Sequence, residues 1–460
     1  MNYLPITRRQ QQQMLDTIGV SDVSQLYTDV PDSVLLSGAP SVAGGISEVA
    51  LTRTLDELAG QNANAANDYV CFAGGGIYDH HRPAFIDHLI RRPEFFTAYT
   101  PYQPEVSQGT LQAIYEYQTG ICLLTGLDVA NASMYDGATA LVEAAFMATR
   151  IKRGRRVVLA SAALSPDKLQ TLATYAASDL IEVRHIPVSS GVTDAAALAD
   201  ALAAADGQVA AVLLPYPNYY GLVADVSVMI AATHDAGALA VLDTNPIMLG
   251  VLASPGSLGA DIAVGEGQPL GNAMSFGGPG LGYFACTAAC MRQIPGRLVG
   301  RTHDVDGKRG YVLTLATREQ HIRREKATSN ICSNHALNAL IAGMYLAATG
   351  PDGLRSIALD CLAKADYLRE QLLATGLFSD PFATDDGSDG SSGGARPHGY
   401  EFTLTWTGQT PLRDLHDELF ARGYLAGIIT PDGTGLILAT TEKRTIAEID
   451  AFCQEVVRCA

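Results

Sequence analysis

A chain of 460 residues, 47% hydrophobic and 17% charged, has the composition of an ordinary globular protein and length enough for roughly two or three domains. Its net charge of −17, spread along the chain without an acidic tail, argues against nucleic acid or an anionic membrane as the main partner. Eight cysteines without a CxxC pair or regular spacing read as reduced thiols, Cys286 and Cys290 as core residues. No stretch reaches membrane-spanning length, and Met1-Asn2-Tyr3-Leu4-Pro5 does not open a signal pattern, so a cytoplasmic protein is expected.

Residues 1–65 read as an arm of short helices. Met14, Leu15 and Ile18 fall at helical spacing within Arg8–Ile18, and Gly19 ends the pattern. Two further patterns cover Ser21–Leu26 and Ser47–Leu58, with Pro31 and Pro40 between them. Such an arm has no core of its own and is expected to lie across a neighbouring subunit or the main domain.

Residues 66–105 mix aromatic and polar side chains in Pro- and Gly-rich segments, which suits loops lining a pocket and equally suits anchored surface loops. His80 and His81 have no third ligand at metal-like spacing, so no metal is expected there. Gln108–Thr119 is helical. Asn131-Ala132-Ser133-Met134-Tyr135-Asp136-Gly137-Ala138-Thr139 then leads into a helix over Leu141–Arg150. A turn of small residues opening a helix offers free N–H groups to an anion, although Asp136 is equally a plain N-cap.

From there apolar strands alternate with amphipathic helices. The strands are Val157–Ala160, Ile181–Val183, Val209–Leu214, Leu239–Asp243, Ile262–Val264 and Tyr283–Cys286. The helices are Pro166–Ala176, Ala195–Ala205 and Asp225–Ala236. This alternation predicts an α/β fold with a mostly parallel sheet covered on both faces, and ligand sites at the carboxyl ends of its strands. Gly277–Gly282 precedes a strand instead of opening a helix, so it fails as a dinucleotide fingerprint.

Val241-Leu242-Asp243 ends a strand in an acid, and a glycine-rich turn, Gly265–Gly271, follows the next strand. Enzymes that use pyridoxal phosphate (PLP) on an aspartate-aminotransferase-like scaffold place the aspartate that holds the pyridine nitrogen at such a strand end. They place the Schiff-base lysine shortly after the second strand. Here that position falls near Gln268 and Pro269. The six lysines are Lys152, Lys168, Lys308, Lys326, Lys364 and Lys443, and none follows a strand in the required place. An autonomous PLP enzyme, such as an aminotransferase or desulfurase, is thereby disfavoured.

Arg292, Arg297, Arg301, Lys308, Arg309, Arg318, Arg323, Arg324 and Lys326 form a basic cluster in an acidic chain. It suggests an anionic partner, a substrate carboxylate or a subunit contact, with ion pairs inside a helical segment as the plain alternative. A helical pattern from Ser333 to Leu373, a Gly/Ser/Asp-rich loop over Thr384–Pro397, a strand at Glu401–Thr405, a helix over 412–422, a strand at Gly435–Ala439 and a helix over 445–457 make a small α+β domain. The expected division is an arm (1–65), a large PLP-transferase-like domain (66–332) and a C-terminal domain (333–460).

Several blocks together resemble one family, the glycine-decarboxylating P-proteins of the glycine cleavage system, and within it the alpha subunit (subunit 1). They are Ala98-Tyr99-Thr100-Pro101-Tyr102-Gln103-Pro104-Glu105 with Ser107-Gln108-Gly109; the Asn131–Thr139 turn; and Pro295-Gly296-Arg297-Leu298-Val299-Gly300. The longest is Thr317-Arg318-Glu319-Gln320-His321-Ile322-Arg323-Arg324-Glu325-Lys326-Ala327-Thr328-Ser329-Asn330-Ile331-Cys332. The similarity extends to Thr441-Glu442-Lys443-Arg444-Thr445, and the Thr384–Pro397 loop departs most.

The resemblance implies fold type I of the PLP-dependent transferases and a heteromeric enzyme. PLP would sit covalently on the beta subunit (subunit 2), and this chain would carry no covalent cofactor and be inactive alone. The complex would decarboxylate glycine and pass the aminomethyl group to the lipoyl arm of the H-protein. Tyr99, Thr100, Tyr102 and Gln103 become candidates for the active-site mouth, and Asp136, Gly137, Thr139 and Asp243 for a vestigial cofactor pocket. Arg297, Arg318, His321, Arg323, Arg324 and Lys326 become candidates for interface or anion contacts. A structural or regulatory pseudoenzyme of the same fold is the alternative.

Overall fold

A computed structural model describes residues 5–63, 68–95, 100–315, 320–329, 331, 334–383 and 396–460, except the side chain of His321. It divides into two compact units, Met1–Ala63 and Asn64–Ala460.

In the first unit, helix α1 (Arg8–Ile18) begins where the Thr7 hydroxyl accepts the Gln10 N–H at 3.3 Å, and it ends at Gly19, whose φ of +87° suits glycine. Helix α2 (Glu48–Ala59) begins at a Ser47 cap. The stretch expected to be helical at 21–26 is a 3-10 turn over Val23–Tyr27. Among the described residues of this unit, Leu15 alone is buried. Val49, Leu51, Leu55 and Leu58 of α2 lie exposed.

The second unit is built on a seven-stranded sheet: β1 (Val129–Ala130), β2 (Val157–Ser161), β3 (Glu182–Ile186), β4 (Val209–Tyr216), β5 (Leu239–Thr244), β6 (Ile262–Glu266) and β7 (Gly282–Cys286), in the order β1-β7-β6-β5-β4-β2-β3. The run β6-β5-β4-β2-β3 is parallel, and β7 is antiparallel to both its neighbours. Alternation along the strands divides the core. Val158, Leu213, Val241 and Val264 face one apolar cluster with Leu141 and Ala145, while Leu159, Val212, Leu214 and Leu242 face another with Leu198, Leu202 and Ile230. Every residue of β2, β4 and β5 is buried, as a parallel sheet covered on both faces requires. The strand expected at 181–183 runs on to Ile186 because it is the sheet edge, where exposed Glu182, Arg184 and His185 hide its apolar signal.

Helices α3 (Gln108–Thr125), α4 (Gly137–Ile151), α5 (Pro166–Ala176), α6 (Ala195–Ala204) and α7 (Ser227–Asp235) flank the sheet. The basic segment is not the helical segment that its plain alternative supposed. Leu298–His303 and Arg309–Thr314 make an antiparallel hairpin, and Gln320–Arg323 and Arg324–Lys326 form short helical turns. Beyond it, α8 (Ala336–Ala374) kinks at Gly350, just before Pro351. A four-stranded sheet containing Glu401–Trp406 and Gly435–Ala439 packs with α8 and the last helix, Ile446–Cys459, around Phe402, Leu438 and Phe452. Among the described residues, no helix is long and apolar enough to cross a membrane.

Candidate functional site

The carboxyl ends of β4, β5 and β6 meet the glycine-rich loop at 75–78, α5 and the start of the Glu401–Trp406 strand. Together they surround a cavity lined by Tyr78, Lys168, Asn218, Asp243, Glu266 and Glu401 among others. Asp243, a candidate from the sequence, lines this cavity. Sequence missed Lys168, which reaches across from α5. Its Nζ lies 2.8 and 2.7 Å from Oδ1 and Oδ2 of Asp243, both side chains being largely buried. Burial works against the charge on Lys168, but the carboxylate outweighs it and raises the pKa of the amine above its usual value. Lys168 is therefore held as an ammonium ion, a poor nucleophile.

The expected anion site, the start of α4, is occupied by the chain itself. Asp136 closes a capping box with Thr139, its Oδ1 accepting the Thr139 N–H at 2.7 Å, so it acts as the plain N-cap. The next N–H, of Gly137, donates to Oε2 of Glu266 at 2.9 Å. Oε1 of Glu266 accepts the N–H groups of Gln268 at 3.0 Å and Leu281 at 2.7 Å. A carboxylate fixed by three backbone donors thus sits where a phosphate would seek the helix dipole. Gly137 makes this approach possible: a Cβ there would lie 2.8 Å from the Glu266 nitrogen. Burial still raises the pKa of Glu266, against the pull of those donors.

In the turn after β6, where the missing lysine was expected near Gln268 and Pro269, Gln268 is buried and engaged. Its Oε1 accepts the Tyr78 N–H at 3.0 Å, and its Nε2 donates to the carbonyls of Tyr78 at 3.0 Å and Asn272 at 2.9 Å. It ties the glycine-rich loop to the turn after β6. Glu401 closes the remaining wall, accepting from the Gly75 N–H at 2.5 Å and the Tyr78 hydroxyl at 2.9 Å. Burial pushes its carboxyl up to about 7, with the Gly75 and Tyr78 donors opposing.

The space left is about 60 Å³. That is room for a few waters, against the roughly 300–1,000 Å³ of pockets that enclose larger ligands. With no free amine after β6, Asp243 paired and the α4 N-terminus covered by Glu266, these residues do not fit PLP.

The loop at 100–103 lies elsewhere in the second unit. Tyr102 and Gln103 are exposed and Thr100 is half-buried. Buried Arg297 donates to the Tyr102 hydroxyl at 2.9 Å, and its guanidinium sits 5.3 Å from the ring centre, so Arg297 positions this tyrosine. Arg323, Arg324 and Lys326 are exposed. Tyr99, Arg318 and the side chain of His321 lie outside the described residues. Cys286 and Cys290 are core residues, as expected. Glu442, which spacing could not connect with His80, meets it at 2.7 Å. Against burial, the hydrogen bond and charge of His80, with the His81 N–H, hold the Glu442 carboxyl down to about 2.

The family model for the glycine cleavage system P-protein matches residues 1–384. A probable glycine dehydrogenase (decarboxylating) subunit 1 of Geobacillus thermodenitrificans is 46% identical over 99% of this chain and 98% of its own length. Its counterpart in Bacillus pumilus is 45% identical with the same coverage. Among solved structures, an inhibitor-bound glycine decarboxylase (P-protein) of the glycine cleavage system superposes with a TM-score of 0.88 at 39% identity, covering all of both chains. A sphingosine-1-phosphate lyase of Burkholderia pseudomallei, at 16% identity and a TM-score of 0.66 over 92% of each chain, shares the fold alone.

Proposed function

Because the chain belongs to the glycine cleavage system P-protein family, with the fold of type I PLP-dependent enzymes, we propose that it is the non-lysine-bearing subunit of a glycine decarboxylase. Its partner, a homologous subunit 2, carries PLP on a lysine and supplies the chemistry: decarboxylation of glycine and transfer of the aminomethyl group to the lipoyl arm of the H-protein. The complex works in the cytoplasm. The observation that carries this division of labour is the self-filled pocket, with Gln268 tied to the glycine-rich loop, Glu266 on the α4 N-terminus and Lys168 on Asp243.

What this chain contributes is surface. Tyr102, backed by buried Arg297, stands with Gln103 and Thr100 on a loop suited to complete the mouth of the partner's site. Exposed Arg323, Arg324 and Lys326 offer cations to an acidic partner or to the substrate carboxylate. The exposed leucines and valine of α2 offer an apolar face for a second chain. The relatives' names favour an enzyme subunit over a structural or regulatory protein.

Glycine–bicarbonate exchange tests the proposal. The chain alone should give none, and adding a lysine-bearing subunit 2 with lipoylated H-protein should restore it. Tyr102→Ala should lower the exchange of the complex without loosening its assembly. Full exchange by the isolated chain, or undiminished exchange in the Tyr102→Ala complex, would remove the corresponding part of the proposal.

A further inference from the structure

Three side chains far apart in sequence converge behind the closed pocket: His80 from the loop before the short helix at Ala84–Leu89, Cys361 from α8, and Glu442 from the turn before the last helix. One ligand atom of each lies within 4.8 Å of the other two. Nδ1 of His80 is 2.7 Å from Oε2 of Glu442, and Sγ of Cys361 is 3.5 Å from the same oxygen. His80 and Cys361 are buried, and the Glu442 side chain is 15% exposed. Without an ion these contacts form a hydrogen-bonded knot, with His80 and the thiol of Cys361 both directed at one carboxylate oxygen.

Several features go beyond what such a knot needs. Oε1 of Glu442 is fixed by the His81 N–H at 2.6 Å, which leaves Oε2 aimed at the histidine and the cysteine. The other ring nitrogen of His80 faces the Tyr400 hydroxyl at 3.4 Å, the kind of outer partner that orients a metal-bound imidazole. The buried hydroxyl of Tyr345 has no hydrogen-bond partner. The neighbouring cations are engaged elsewhere: Lys443 and Arg444 on Asp79, and Lys364 on Asp360 and the Glu442 carbonyl.

We infer that His80, Cys361 and Glu442 form a binding site for a divalent d-block ion of the zinc class, with the fourth position open to water. Nitrogen, oxygen and sulfur donors together suit zinc, which takes bonds of about 2.0 Å to nitrogen or oxygen and about 2.3 Å to sulfur. Tetrahedral bonds of that length set nitrogen and oxygen roughly 3.3 Å apart, so the His80–Glu442 contact opens by about half an ångström as the ion enters. The Cys361 thiol gives up its proton to solvent and becomes the thiolate ligand, and the Nδ1 proton that His80 holds against Glu442 also leaves to solvent, the ring keeping its Nε2 proton toward Tyr400. The dication is then balanced by one thiolate and one carboxylate, with neutral imidazole as the third ligand. Bound there, the ion would pin three chain segments behind the closed pocket.

The test uses the full chain, stripped with a chelator and titrated with cobalt(II). Wild type should bind one equivalent and develop a thiolate-to-cobalt charge-transfer band with tetrahedral ligand-field bands. Zinc should abolish those bands and raise the melting temperature. In Cys361→Ala and in the near-isosteric Cys361→Ser, the charge-transfer band should vanish while unfolding stays cooperative. X-ray absorption at the zinc edge of wild type should show a first shell of one sulfur with nitrogen or oxygen, a readout that does not depend on either variant folding. Absence of saturable one-to-one binding, a sulfur-free first shell, or a band that persists in both variants would overturn the site.

Discussion

The closed pocket and the N-terminal unit are opposites. In the pocket, ionised groups are buried and each carboxylate has a donor within the chain: Asp243 is 6% exposed and held by Lys168, and Glu266 is held by three N–H groups. In the N-terminal unit, apolar groups stand in water, Val49 at 63% and Leu58 at 54% exposure, although α2 repeats them at core-forming spacing. Burying charge is costly unless it is paired, and leaving apolar stripes exposed forfeits about 25 cal/mol per Å². A pocket that has satisfied itself has no need of a ligand. An arm with its apolar stripe in water has not satisfied itself.

Removing one half of the buried ion pair attacks this contrast most strongly. Asp243→Asn leaves the Lys168 ammonium buried without its counter-charge, and Lys168→Met strands Asp243. Each should cost about 3–5 kcal/mol of unfolding free energy in denaturant titrations. The double change Lys168→Met with Asp243→Leu should recover most of that loss. If the single changes were neutral, the pair would not be what closes the pocket.

Glu401 gives a smaller and pH-dependent effect. Its folded pKa of about 7 lies above the usual 4.5, so the folded state holds a proton that the unfolded chain releases between those values. This stability is fully present below about pH 4.5 and is lost as pH rises through about 7, at most about 3 kcal/mol in all. Comparing wild type with Glu401→Gln at pH 5 and pH 8 isolates it. The difference in stability between the two proteins should change by that amount in wild type's disfavour at the higher pH.

The smallest expected effect comes from Glu266→Ala. It frees the N–H groups of Gly137, Gln268 and Leu281 and should cost roughly 1–3 kcal/mol. It should also expose the α4 N-terminus, so that inorganic phosphate raises the melting temperature of the variant and leaves wild type unchanged.

Much of the framework was legible because its signals are local. Buried parallel strands read as unbroken apolar runs, and β5, expected to end at Asp243 and ending at Thr244, and β6 were placed within two residues. The absence of a lysine after β6 is a fact of the sequence, and it pointed to the altered pocket. What fills the pocket was not legible. Lys168 lies 75 positions from Asp243, on a helix whose pattern gives no sign that one lysine turns inward. Glu266 looked like the first residues of a glycine-rich turn, and its role appears only when α4 is packed against β6. His80 found its companions 281 and 362 positions away, beyond any ligand spacing. The hairpin of Leu298–His303 with Arg309–Thr314 was hidden by basic residues on its exposed face, which read as a cluster for a partner or, alternatively, as part of a helical segment. Local chemistry fixes elements; the partners of buried charges are chosen by tertiary packing.

The most direct test of the central claim is an absorbance titration of the purified chain with PLP, followed by borohydride reduction and peptide mapping. A chain whose pocket is filled by Lys168, Glu266 and Gln268 should show no saturable cofactor band and no reduced adduct at any of its six lysines. One equivalent of cofactor fixed by borohydride, above all at Lys168, would contradict it: the pocket would be open and the chain would hold its own cofactor.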